Sequence, residues 1–158
     1  MTDLFADPRL TMSGLLFEAH EGLLAKLQPV LKAHGVSGLD LNALTRLSRS
    51  HGRRMRMSDL AAQTSLSTSG VTRLVDRLER AGLVRREASP DDRRTTYAAL
   101  TPEGAQRLEQ TLPDYLAVID RWFAGPFSPE QLETFLAGLR VLRDAVNPEA
   151  TAHTSEGR

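Results

Sequence analysis

Residues 66–100 read LSTSGVTRLVDRLERAGLVRREASPDDRRTTYAAL, and the way this stretch folds decides how the rest of the chain is read. Val71, Leu74, Val75 and Leu78 fall at i, i+3, i+4 and i+7, the spacing of one buried helical face. Ser69, Thr72, Arg73, Asp76, Arg77 and Arg80 take the opposite face. Ser67 suits the N-cap, where a hydroxyl accepts from an unpaired amide of the first turn. Gly82 suits the position just past the helix end, where positive φ is needed. The spacing predicts a helix over residues 68–81.

A hairpin is expected next. Residues 83–87 and 95–100 have strand composition, and Ser89-Pro90-Asp91-Asp92 between them has the residues of a type I turn. Upstream, residues 57–63 carry a short helix signal with Ser58 as candidate N-cap, and residues 64–66 form a turn. Helix, turn, helix and hairpin in this order make a winged helix-turn-helix. In that motif the second helix fits the major groove of duplex DNA and the hairpin reaches along the backbone.

The run SxSxVTRLVDRLE over residues 67–79, GLVxR from Gly82, DxR at 92–94 and LTxxG at 100–104 together resemble the core of the MarR family of bacterial transcriptional regulators. The resemblance spans about a third of the chain in one unbroken order. It implies a mainly α fold of about six helices with a small three-stranded sheet. Residues 38–100 would form the DNA-binding lobe, and residues 8–37 with 101–147 a helical dimerisation lobe intertwined with a twofold mate. Residues 148–158 are expected to be a disordered tail.

Composition agrees with a single DNA-binding domain. The 158 residues suffice for one buried core. Net charge is zero, yet residues 46–94 hold twelve arginines against six carboxylates, leaving eight basic and fourteen acidic residues elsewhere. A basic centre with acidic flanks suits phosphate binding by one face. All twelve cations are arginine, whose fork matches phosphate and guanine. No apolar run approaches the length of a spanning helix, the acidic start MTDLFADPRL is unlike a signal peptide, and cysteine is absent. A cytoplasmic protein without disulfides is expected.

Around this centre the pattern is helical. Residues 10–34 read as a long helix that Pro29 should bend or break, and residues 39–50 as a second, with Leu41, Leu44, Leu47 and Ser48 facing in. Residues 55–57 are expected to be the third strand of the wing sheet. Thr101-Pro102-Glu103 starts a helix that runs to about residue 123 with a kink at Pro113. Ser128 and Gln131 form a capping box for a last helix that runs to about residue 146.

Thr68, Ser69 and Thr72 are short polar groups at the start of the recognition helix, and Arg73 and Arg77 project one and two turns further. These five, with Arg86 on the first wing strand, are candidate DNA contacts; alternation leaves open whether Arg85 or Arg86 faces DNA. Arg94 is similar to the family's minor-groove arginine, with Arg93 beside it, and Asp92 matches the wing aspartate, which would hold Arg94 in place. An arginine placed there reads groove width.

No catalytic motif appears, and His20, His34, His51 and His153 are too dispersed for a metal site. No enzyme activity, metal or cofactor is expected. The resemblance implies a repressor of a palindromic operator, released by a small aromatic or anionic ligand between the two lobes, with His20, Arg46 and His51 as candidate ligand residues. The thiol-sensing branch of the family is excluded by the lack of cysteine, and the urate-type branch is disfavoured because the sole tryptophan, Trp122, lies in the fifth helix. A constitutive or architectural DNA binder without a ligand, and a protein-interaction module that has lost DNA binding, are the alternatives; Arg73, Asp92 and Arg94 speak against the last.

Overall fold

Five of the helices begin on a side-chain oxygen that accepts from a first-turn amide. The computed structural model describes residues 4–89, 92 and 94–150. Its main helices are α1 (Pro8–Ala33), α2 (Gly38–Arg49), α3 (Met57–Gln63), α4 (Thr68–Arg80), α5 (Pro102–Ile119) and α6 (Pro129–Val146). Asp7, Ser37, Ser67, Thr101 and Ser128 cap α1, α2, α4, α5 and α6, and proline stands at the first position of α1, α5 and α6. Ser37 with Asp40, and Ser128 with Gln131, close full capping boxes.

Strands β1 (Arg54–Arg56), β2 (Val84–Ala88) and β3 (Thr96–Leu100) form an antiparallel sheet in the order β1-β3-β2. Met55 and Arg86 both pair with Ala98, and Arg56 and Glu87 both pair with Tyr97. Side chains alternate across a sheet, so Arg86 shares a face with buried Met55, Val84 and Ala98, whereas Arg54, Arg85 and Glu87 share the other with Tyr97. The fold class expected from the sequence, a winged helix-turn-helix in a helical body, is the one observed.

The core lies under the recognition helix. Val71, Leu74, Val75 and Leu78 of α4 are buried against Leu44 and Leu47 of α2, Leu60 of α3 and Val84, Ala98 and Leu100 of the sheet. Leu27 and Leu31 of α1 and Leu108 of α5 join this cluster and fasten the helical body to it. Gly104 permits the junction, because a Cβ there would stand 2.1 Å from the Leu83 carbonyl oxygen. Thr101 completes it: its hydroxyl donates to the Gly82 carbonyl at 2.7 Å and accepts from the Gly104 amide at 2.9 Å. Among the described residues no helix is long and apolar enough to cross a membrane.

Helix α1 runs on through Pro29 and α5 through Pro113, so neither proline breaks its helix; each removes one backbone donor. Residues 120–124 after α5 form a π-helical turn. Two expectations need correction. Ser58 does not cap α3, because β1 runs directly into the helix and puts Arg56 at the cap position; the Ser58 hydroxyl instead faces the Asp59 carboxylate at 3.3 Å. Residues 148–150 are not a loose tail but a 3₁₀ turn, while residues 151–158 lie outside the described residues. The type I turn expected at 89–92 includes Pro90 and Asp91, which also lie outside them.

Candidate nucleic-acid interface

Ser67 ends the turn between α3 and α4 by accepting from the Gly70 amide at 3.1 Å, and its oxygen also meets the Ser69 hydroxyl at 3.1 Å. The Thr72 hydroxyl donates to the Thr68 carbonyl at 2.8 Å. Thr68, Ser69, Thr72 and Arg73 are all exposed, so the first turn and a half of α4 presents three hydroxyls and one guanidinium outward. Among the described residues Arg73 has no hydrogen-bond or ion-pair partner.

Arg77, Arg80, Arg85 and Arg86 are engaged, and the engagements give the surface its shape. Arg86 Nη2 donates to Asp76 Oδ1 at 2.6 Å and to the Thr72 carbonyl at 3.4 Å, and its Nη1 donates to Glu79 Oε2 at 2.5 Å. Its backbone amide donates to Glu79 Oε1 at 3.0 Å. Burial works against this cation, and the bonds to Asp76 and Glu79 outweigh it, so the proton is held more tightly than usual. Arg86 is therefore a strut joining β2 to α4. Arg77 Nη2 donates to Asp40 Oδ1 at 2.5 Å, tying α4 to the start of α2. On the far face of the sheet Arg85 and Arg54 share Glu87, which Arg85 chiefly holds below the usual carboxylate range.

The wing tip is set by Asp92. Its Oδ1 accepts from the Arg94 amide at 2.9 Å and its Oδ2 from the Thr95 hydroxyl at 2.8 Å. These two bonds, the backbone one first, hold its carboxyl below the ordinary value. Asp92 thus orients the backbone that carries Arg94, whose guanidinium is exposed and without a partner among the described residues. Arg93 lies outside the described residues. Between wing and helix runs an open cleft of about 420 Å³ lined by Arg56, Ser58, Thr72, Arg86, Arg94 and Thr95, among others. Three arginines around one concave strip make a cradle for an anionic chain.

Arg56 and Asp40 escaped the reading of the sequence. Arg56 stood in view inside the basic cluster 53–56, but only the antiparallel pairing with Tyr97 brings it to the cleft. Asp40 is thirty-seven residues from Arg77, and no local pattern joins them. Of the ligand candidates, His20 is exposed on α1 and His51 on the turn after α2. Arg46 is half-buried, with Nε donating to Asn42 Oδ1 at 2.7 Å and Nη1 to Gln63 Oε1 at 3.0 Å. Burial, and then Arg49, loosen its hold on its proton. Among the described residues no hydrogen bond or ion pair joins the three.

Residues 34–95 match the family model described as MarR family. The HTH-type transcriptional repressor MdtR of Bacillus subtilis is 30% identical over 117 residues, covering 72% of this chain and 74% of the relative. The chain belongs to the MarR family. As a MarR-family protein it is a DNA-binding transcriptional regulator rather than an enzyme. Its fold superposes with a TM-score of 0.81 on Sco3205, a MarR family regulator from Streptomyces coelicolor solved in complex with DNA, at 30% identity over 89% of this chain and 88% of that one. It also shares the fold of BpsR from Bordetella bronchiseptica, with a TM-score of 0.75 at 22% identity over 84% of this chain and 92% of that one. BpsR is a protein whose DNA binding is regulated by 6-hydroxynicotinic acid.

Proposed function

We propose that this chain is a homodimeric repressor that binds a palindromic operator, with α4 in the major groove and the wing on the flanking minor groove. The observation that carries the reading is the contrast between tied and free arginines. Arg77 and Arg86 are held by carboxylates and build the surface; Arg73 and Arg94 are unpartnered among the described residues and stand at its two working ends. Thr68, Ser69 and Thr72 supply short contacts beside Arg73. Twofold symmetry places two such surfaces one helical turn apart on a palindrome. A protein bound to the chromosome of a bacterium works in the cytoplasm.

The test is fluorescence anisotropy on a duplex enriched from a random pool by the wild-type protein. Tight binding, on the order of 10³-fold over scrambled duplex, is expected. Arg94→Ala should weaken both duplexes and reduce the salt slope by about one. Equal affinity for selected and scrambled duplex would sink the repressor reading.

Release by a small aromatic or anionic ligand belongs to the same proposal, supported by family membership and, at the level of fold, by BpsR. A second reading, a constitutive DNA binder, is favoured by one observation: Arg46 is already satisfied by Asn42 and Gln63. Titrating phenolic acids and 6-hydroxynicotinic acid against the DNA complex separates the two. Loss of anisotropy at micromolar ligand supports the effector, and an unmoved signal across that series supports the constitutive binder.

A further inference from the structure

Three helices end in the same motif, and one of them breaks its rule. After α1 the Gly35 and Val36 amides donate to Lys32 and Leu31 carbonyls; after α4 the Gly82 and Leu83 amides donate to Glu79 and Leu78 carbonyls. Both are helix ends that need a left-handed residue, and both use glycine there, at φ 65° and 73°. After α3 the same pair of bonds recurs, Ser65 to Ala62 and Leu66 to Ala61. Here the left-handed position, at φ 55°, is a serine, a residue that resists this conformation. The Ser65 hydroxyl accepts from Asn147 Nδ2 at 2.9 Å.

Asn147 terminates α6, a helix with no buried residue of its own. At its start α6 is held by the ring of Phe135 against Phe127 and Phe123, with centroids 5.2 and 5.9 Å apart. At its end, burial returns at Asn147 and Ala150, which are half-buried. The 3₁₀ turn Pro148–Ala150 follows at once, and the Ala150 carbonyl lies 3.5 Å from Arg46 Nη1. That same Nη1 donates to buried Gln63, the last residue of α3. The chain after α6 therefore clips onto the back of the helix-turn-helix at the segment that fixes the angle between α3 and the recognition helix.

We infer that Asn147 and Ser65 are positioning residues for DNA binding. The serine stands where glycine would relax the backbone because its hydroxyl anchors the end of α6, and through it the helical body sets the pose of α4. This rests on the DNA-binding reading above, and its test separates the two. Asn147→Ala, Ser65→Gly and the double variant are compared with wild type by anisotropy on the duplex enriched by the wild-type protein, by thermal melting, and by amide hydrogen exchange.

Ser65→Gly should melt at or above the wild-type temperature, since glycine takes positive φ freely. Its DNA affinity should nevertheless fall about fivefold or more. Asn147→Ala should fall by a similar factor, and the double variant no further than the worse single, because both remove one link. Exchange should rise at residues 64–68 in Asn147→Ala and stay unchanged at 98–108. Wild-type affinity in Ser65→Gly, or losses that multiply in the double variant, would overturn the inference. If the wild type enriches no duplex, the DNA-binding reading fails, and exchange alone decides the clip: raised protection loss at 64–68 supports it and an unchanged profile overturns it.

Discussion

Arginines that look alike in the sequence separate, in the structure, by what already holds them. Arg86 makes its bonds to Asp76, Glu79 and Thr72 before any partner arrives, whereas Arg73 is free among the described residues. Arg86→Ala should therefore cost stability, about 1–2 kcal/mol for a partly exposed, charge-assisted network, read as a lowered denaturation midpoint together with weaker DNA binding. Arg73→Ala should leave the midpoint in place and weaken binding about tenfold, within the range of ~1–3 kcal/mol for a specific contact. Chemical denaturation beside anisotropy distinguishes them, and a loss of stability in Arg73→Ala would contradict the assignment. Asp92 adds a pH dependence. Its folded carboxyl titrates below the ordinary value of 3.8, so its support of the wing is complete above that pH and disappears as pH falls through the lower folded value. An NMR titration should show the Arg94 and Thr95 amides shifting with a midpoint below 3.8; a midpoint at or above it would mean that the turn does not hold the carboxylate.

Among the elements, the winged helix could be read in advance because its signals are local. The α4 stripe of Val71, Leu74, Val75 and Leu78, the Ser67 cap and the Gly82 stop all lie within one helix, and each reappears in the structure. What the sequence withheld depends on groups far apart in the chain: Asp40 taking Arg77, Arg56 reaching the cleft, and Asn147 reaching Ser65. Pro29 leaves α1 unbroken, since a proline's effect on a helix depends on the packing around it. The LTxxG run at 100–104 was recognisable only as a pattern. Its physical cause is the approach of α5 to the start of β2, where a Gly104 side chain would overlap the Leu83 carbonyl. Backbone cannot swing aside as a flexible side chain can, so Gly104→Ala should destabilise by about 1–3 kcal/mol, or several degrees in melting temperature. A variant that melts with the wild type would show that the α5 junction has slack.

At the scale of the molecule, one lobe is buried and the other is not. The core under α4 is closed, yet Phe5, Phe17, Val141 and Val146 are 95, 63, 71 and 72% exposed, and Leu10, Leu15 and Leu116 of the helical body are exposed as well. No residue of α6 is fully buried within its own chain. Surfaces of this kind normally meet a partner, and a twofold mate of the same chain is the partner that a palindromic site requires. Sedimentation equilibrium of the wild type should give about twice the 17.4 kDa of one chain. Leu15→Glu combined with Val141→Glu should return it to one chain mass, because two carboxylates cannot be buried there unpaired. Neither residue belongs to the core cluster, so circular dichroism should be unchanged. Trp122 offers a second readout: the sole tryptophan, it has the Lys26 and Arg121 cations 4.4 and 4.9 Å from its ring centroid and is 45% exposed. If the mate covers it, its emission should shift to longer wavelength in the variant. Operator affinity should fall about 10²-fold or more, since each half-site is then held alone. A wild type that sediments as one chain at micromolar concentration while still selecting a palindrome would refute the dimer, and an undiminished affinity in the monomeric variant would detach DNA reading from twofold symmetry.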